Sequence, residues 1–300
     1  MELKTPIRIY WDLAPAAGVP CDHPAIAREV IASRVLALDM ACDAQALERE
    51  LWEVLEVLQG QWVAVTLTAP AALLSAPVRE RLSGTSVRSV LAASSSLAEL
   101  RALPADFWES APPMGISFRV TDDNYLQIAE LFDFCGERGV NRLVLPIQRA
   151  LPGVAPFQLT PERSRELVAR LANCEIPAKL QLSVHDPFIW KAIYPQLPFP
   201  EGGCQAANSM IYIAPDATVY PCPIMPYRLG ALGSDTLGEI LASERKKRLR
   251  EILLAPPAQC APCPEVTHCL GGCRGRGYLP DRDWDAADRC CGYPAAGVSQ

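Results

Sequence analysis

The 300-residue sequence has no basic stripe: 28 Lys and Arg stand against 34 Asp and Glu, a net charge of −6. That balance argues against nucleic acid as a partner. No apolar run approaches the roughly 18–20 residues that cross a bilayer, so no membrane partner is expected. The opening Met1-Glu2-Leu3-Lys4-Thr5-Pro6 lacks the basic-then-apolar layout of a secretion signal. A soluble, cytoplasmic protein is the expectation. No Ser-His-Asp set, phosphate loop or paired-acid motif stands out, and no residue is assigned as catalytic.

What the chain does have is cysteine. There are 12, and eight of them lie after residue 200. Disulfides are disfavoured in the cytoplasm, so clustered thiols there more often bind metal. Of the others, Cys21 and Cys42 are scattered. Cys135 and Cys174 sit on helical patterns among apolar neighbours and read as plain core residues.

Half of the residues are hydrophobic, enough for one large or two ordinary domains. Strands are expected at 7–13, 62–68, 87–92, 115–120, 142–147 and 179–184, with 25–59 helical in two pieces. Thr160-Pro161-Glu162 marks a helix start. Strands that alternate with helices imply parallel pairing through right-handed crossovers. About six such units make either an open barrel or a doubly wound sheet. Prolines at 195, 198 and 200, then Gly202-Gly203, mark a boundary, giving domains 1–195 and 196–300. Residues 210–222 read as a hairpin with a Pro-Asp turn. One helix is expected over 236–253, its charge run Glu244–Arg250 in solvent.

The cysteine spacing is Cys204, Cys222, then Cys260-x2-Cys263-x5-Cys269-x3-Cys273, then Cys290-Cys291. Thiolates in that number suit iron–sulfur clusters. Cys-x2-Cys forms a turn that aims two thiolates at one point and leaves N–H groups to donate to sulfur. Gly271-Gly272 is read as letting the backbone pass close to inorganic sulfide. Arg274 and Arg276 place positive charge nearby, which favours thiolates and raises a cluster's potential. The alternative is structural zinc in a ribbon, with His268 available as a ligand.

Residues 204–291 resemble the SPASM domain, the twin-cluster extension of radical SAM peptide-modifying enzymes. Every cysteine spacing matches, as does the wording Cys269-Leu-Gly-Gly-Cys273-Arg-Gly-Arg. One departure is Ala217, where the family's hairpin carries Gly. The resemblance implies two clusters, of the 4Fe-4S type. The first would use Cys204, Cys222 and Cys273; the second Cys260, Cys263, Cys269 and one of Cys290 or Cys291. It also implies that the first domain is a partial (β/α)6 TIM-like barrel.

In radical SAM enzymes a Cys-x3-Cys-x2-Cys follows the first barrel strand. The corresponding loop here, Ala14 to His23, holds Cys21 alone. The family's Gly-Gly-Glu at the end of the second strand has become Ala69, Pro70 and Ala71 in Thr68-Ala-Pro-Ala-Ala-Leu-Leu74. S-adenosylmethionine is therefore not expected. The chain resembles a radical SAM/SPASM protein with a disabled barrel, and more narrowly the GeoRSP-system SPASM domain proteins. That likeness implies a non-catalytic companion of a radical SAM/SPASM maturase acting on a ribosomally made peptide, through electron transfer or partner and peptide binding. The alternatives are an enzyme with an unorthodox site built from Cys21 and His23, and a zinc-stabilised scaffold. Trp11-Asp12 reads as packing at the barrel mouth, and Asp186 of His185-Asp186 as a helix cap.

Overall fold

The computed structural model describes residues 2–13, 21–150 and 153–292. Residues 14–20, most of the loop expected to matter for a radical SAM cluster, lie outside them.

Seven parallel strands come first: β1 (Arg8–Asp12), β2 (Ala37–Ala41), β3 (Ala64–Pro70), β4 (Val87–Ser94), β5 (Met114–Phe118), β6 (Arg142–Leu145) and β7 (Gln181–Val184). Helices connect them: α1 (His23–Ala32), α2 (Ala44–Glu48), α3 (Glu50–Leu58), α4 (Ala76–Ser83), α5 (Leu97–Ala102), α6 (Ile128–Arg138) and α7 (Pro161–Leu171). Then come α8 (Pro187–Ile193), β8 (Met210–Ile213), β9 (Thr218–Tyr220), β10 (Gly230–Ala231), α9 (Leu237–Ala242), α10 (Glu244–Leu254), α11 (Val266–Cys269) and α12 (Arg274–Tyr278). The result is a mixed α/β fold with a parallel, barrel-like sheet.

The strand that sequence reading hides is β2. Ala-Leu-Asp-Met-Ala holds strong helix formers and nothing β-branched, so it merged into a helical stretch. Tertiary context decides otherwise. Leu38 and Met40 are fully buried, and the strand pairs with β1 on one side and β3 on the other. With β2 counted, the parallel run has seven strands, one more than expected.

Strand β1 alternates Ile9 and Trp11, both fully buried, with Arg8, Tyr10 and Asp12. Arg8 and Tyr10 line the barrel interior, so the lumen face of this strand is polar. The hairpin continues the same sheet. Strand β8 pairs parallel with β1, β9 runs antiparallel to β8, and β10 antiparallel to β9. The order is β10-β9-β8-β1-β2-β3-β4-β5-β6-β7, ten strands in all.

Caps follow local rules. Thr160 Oγ1 accepts the N–H of Arg163, and Asp186 Oδ1 accepts those of Phe188 and Ile189 at the start of α8. The single helix expected over 236–253 is two, broken at Ser243, whose Oγ accepts the Lys246 N–H. Its charge run is not wholly solvated. Arg250 is 4% exposed, forks onto Glu2 at 2.8 and 2.9 Å, and donates to the carbonyls of Cys204 and Ala206 at 2.8 Å. Cys135 is buried as expected, whereas Cys174 is only partly buried and donates to the Arg170 carbonyl in the last turn of α7. Among the described residues no helix is long and apolar enough to cross a membrane.

Candidate metal centres

The cysteines of the last third fall into two groups. Cys204 follows the Gly202-Gly203 turn, Cys222 follows β9, and Cys273 caps the start of α12. All three line one cavity of about 200 Å³, together with Cys269, His185 and His268. The Cys222 thiol interacts electrostatically with Cys204 and Cys273. Cys260, Cys263, Cys269 and Cys291 line a second cavity of about 430 Å³. There the Cys260 thiol interacts with Cys291 and Cys263, and the Cys269 thiol with Cys291 and Cys260.

Local backbone geometry produces this. The N–H of Cys260 bonds the Pro257 carbonyl at 2.8 Å, and that of Cys263 bonds Cys260 at 3.0 Å, two tight successive turns. N–H groups then point at sulfur. Those of Ala206 and Arg274 reach Cys204, those of Ile224 and Met225 reach Cys222, and those of Gly271 and Gly272 reach Cys269. Such donors favour the thiolate. Burial opposes them and wins: it pushes Cys273 up to about 12 and Cys269 up to about 11. A bound cation reverses that balance, because thiolates are the ligating form. The donor set therefore fits soft, multi-sulfur metal chemistry. Among the described residues no three His, Cys, Asp or Glu are gathered tightly enough to hold one ion.

The structure separates the pair left open by spacing. Cys291 faces the second thiol cavity. Cys290 is 2% exposed, accepts the N–H of Leu159, and has Asp288, Arg276 and Asp186 as its charged neighbours.

The two arginines differ. Arg276 is enclosed by carboxylates: it pairs with Asp186, and with Asp288 at 2.7 Å. Its hydrogen bonds go to those carboxylates, while its charge also favours the thiolate of the neighbouring Cys273. Arg274 is 3% exposed and donates only to carbonyls, Ala255 at 2.6 Å and Trp284 at 2.5 Å. It interacts with Cys204 of one group and Cys260 of the other. Gly271 and Gly272 also have another reason than sulfide. Both have positive φ (+92° and +69°), and an added Cβ would strike Pro257 at the first and Asp288 and Phe188 at the second.

In the barrel, Ala69 and Ala71 are buried at the end of β3. The strand beside it is β2, not β1, and Cys42 just after β2 donates its N–H to Thr68 at 3.0 Å. Counted from Cys42, the family spacing falls on Ala46 and Arg49, so this loop too supplies one cysteine. His23 is 5% exposed and lies against Trp11, with ring centroids 6.1 Å apart. Asp12 is held by Arg149 at 2.5 and 2.6 Å and by Tyr212 at 2.9 Å.

Residues 204–264 match the SPASM family, described as an iron-sulfur cluster-binding domain. No curated protein matches the chain. Among solved structures, Streptococcus suis SuiB bound to precursor peptide SuiA has a TM-score of 0.69 at 15% identity, over 97% of this chain and 77% of SuiB. SuiB bound to S-adenosylmethionine gives 0.68 at 16%, over 96% and 77%. Native anSMEcpe with bound AdoMet gives 0.65 at 12%, over 95% and 94%. The chain thus shares its fold with SuiB and anSMEcpe, and its residues 204–264 match the SPASM iron–sulfur cluster-binding domain.

Proposed function

We propose that this protein is a non-catalytic iron–sulfur companion of a radical SAM/SPASM maturase, serving modification of a ribosomally made peptide in the cytoplasm. The observation that carries the reading is one contrast. The thiols of the last third line two cavities, while each barrel loop that could hold a radical SAM cluster offers a single described cysteine.

In this reading Cys204, Cys222 and Cys273 hold one cluster, and Cys260, Cys263, Cys269 and Cys291 the other. Bound clusters supply one-electron transfer. The chain's own groups prepare for it. Backbone N–H groups aimed at the sulfurs stabilise thiolate, and Arg274 sets a positive charge between the two groups. A single zinc draws its sulfurs to about 2.3 Å from one point. The match of residues 204–264 to an iron–sulfur cluster-binding domain, with seven thiols lining two cavities, favours clusters over that alternative.

What supports the absence of S-adenosylmethionine chemistry is the sequence at the end of β3: Ala69, Pro70 and Ala71 leave no carboxylate where the family's Gly-Gly-Glu stands. The structures of SuiB and anSMEcpe with bound S-adenosylmethionine and with peptides give the context of peptide modification.

The test is co-purification with a radical SAM/SPASM maturase and its precursor peptide. A complex, and faster maturase turnover when this protein is added, are expected. Neither complex nor change in turnover defeats the reading, as does formation of 5′-deoxyadenosine by this protein alone under reducing conditions.

A further inference from the structure

The barrel lumen contains charge that the thiol chemistry does not use. Its cavity of about 140 Å³ is lined by Arg8, Arg142, Arg149, Ser117, Ser183 and His185, among others. Two of the three arginines have counter-ions: Arg8 pairs with Asp39, and Arg149 with Asp12. Arg142 does not. Its Nη1 donates to Ser89 Oγ at 2.6 Å and Thr66 Oγ1 at 3.4 Å, both neutral hydroxyls. Among the described residues no carboxylate lies within ion-pair distance of it.

Arg142 is half-buried at the lumen wall, and a guanidinium there with no carboxylate beside it gains from pairing with an anion. The hydroxyls satisfy donors but leave the charge. The rest of the planar fork has the shape that matches two oxygens of a carboxylate or phosphate. Ser117, Ser183 and Thr68 bring further hydroxyl donors to the same space. The volume sets the size: an apolar cavity of about 150 Å³ accommodates a benzene molecule. Ser183 and His185 place the cavity beside β7, the last strand at its end of the sheet.

We propose that the barrel lumen is a binding site for a small oxyanion, a carboxylate or phosphate group paired with Arg142. The site stands whether or not the thiols hold iron.

The experiment uses the full chain as purified. Sodium phosphate and sodium acetate are titrated separately by calorimetry, against sodium chloride at equal ionic strength, with thermal unfolding read in parallel. One saturable site per chain and a raised unfolding midpoint are expected with one of the two salts, and which salt acts assigns the group. Arg142→Met is expected to weaken binding at least tenfold at unchanged iron content. Arg142→Lys keeps the charge without the fork and is expected to weaken it less. No response beyond that to chloride, or undiminished binding in Arg142→Met, overturns the proposal. If the methionine variant does not fold, unchanged affinity in Arg142→Lys overturns it instead.

Discussion

Arg276 and Asp288 meet through two parallel hydrogen bonds, Nε to Oδ1 and Nη2 to Oδ2, each 2.7 Å long and closed to solvent. Asp288 also accepts the N–H groups of Cys273 at 2.8 Å and Cys290 at 3.1 Å. Arg276 reaches across to Asp186, which caps α8 beside the barrel. One buried ion triad thus ties the cysteine-rich segment to the end of β7.

Removing one partner of such a group leaves a charge buried and uncompensated. Asp288→Ala is expected to cost about 3–5 kcal/mol of stability, the usual range for breaking a buried pair. Denaturant unfolding of the full chain measures it. A loss below about 1 kcal/mol, the size of an exposed pair, contradicts the account.

The neighbours Cys290 and Cys291 face different surroundings, and their serine variants are expected to part accordingly. Cys291→Ser loses about half of the iron and acid-labile sulfide, because one of two clusters lacks a thiolate. Cys290→Ser keeps both. Iron and sulfide determination on anaerobically purified protein decides. Equal loss in the two variants, or zinc in place of iron, refutes the assignment.

Arg274 lies against both thiol groups with no carboxylate hydrogen-bonded to it. Reduction adds negative charge, which a nearby cation stabilises. Arg274→Met is expected to lower the reduction potentials of both centres, and Arg274→Lys to restore most of the difference. Redox titration followed by electron paramagnetic resonance reads this, and unchanged potentials in the methionine variant would remove Arg274 from the electrostatics.

Ala217 occupies the left-handed region at φ 63° in the turn between β8 and β9, and its N–H bonds the Ala214 carbonyl at 2.9 Å. This is the position after a turn that favours glycine. A side chain there costs about 1–2 kcal/mol. Glycine gives part of that back in chain entropy, so Ala217→Gly is expected to gain about 0.5–1 kcal/mol. A lower melting temperature in the glycine variant would contradict the strain.

The nearness of the cysteines after residue 203 was legible in the sequence because its logic is local. Cys-x2-Cys turns and short loops bring nearby sulfurs together, and the resemblance supplied the rest. What lay hidden depends on distant partners. Arg250 reads as a solvated helix charge until Glu2 arrives from 248 positions away. Strand β2 reads as helix because its composition is helical and only its two neighbours make it a strand. The glycines at 271 and 272 were legible as necessary, but the neighbours that demand them, Pro257 and Phe188, are set by packing. Spacing likewise could not separate Cys290 from Cys291, since adjacent residues differ only in which way each side chain turns.

The pairing of β1 with β8 has a temporal consequence. Arg8 lies opposite Met210 and Trp11 opposite Ile213. A ribosome adding roughly 5–20 residues per second finishes the first strand many seconds before it makes the partner that covers its flank. Through that interval the nascent chain displays a bare row of amides and carbonyls, a template for unwanted pairing. Newborn copies carry that flank uncovered until the hairpin emerges, and a shortened product lacking the hairpin keeps it uncovered for good.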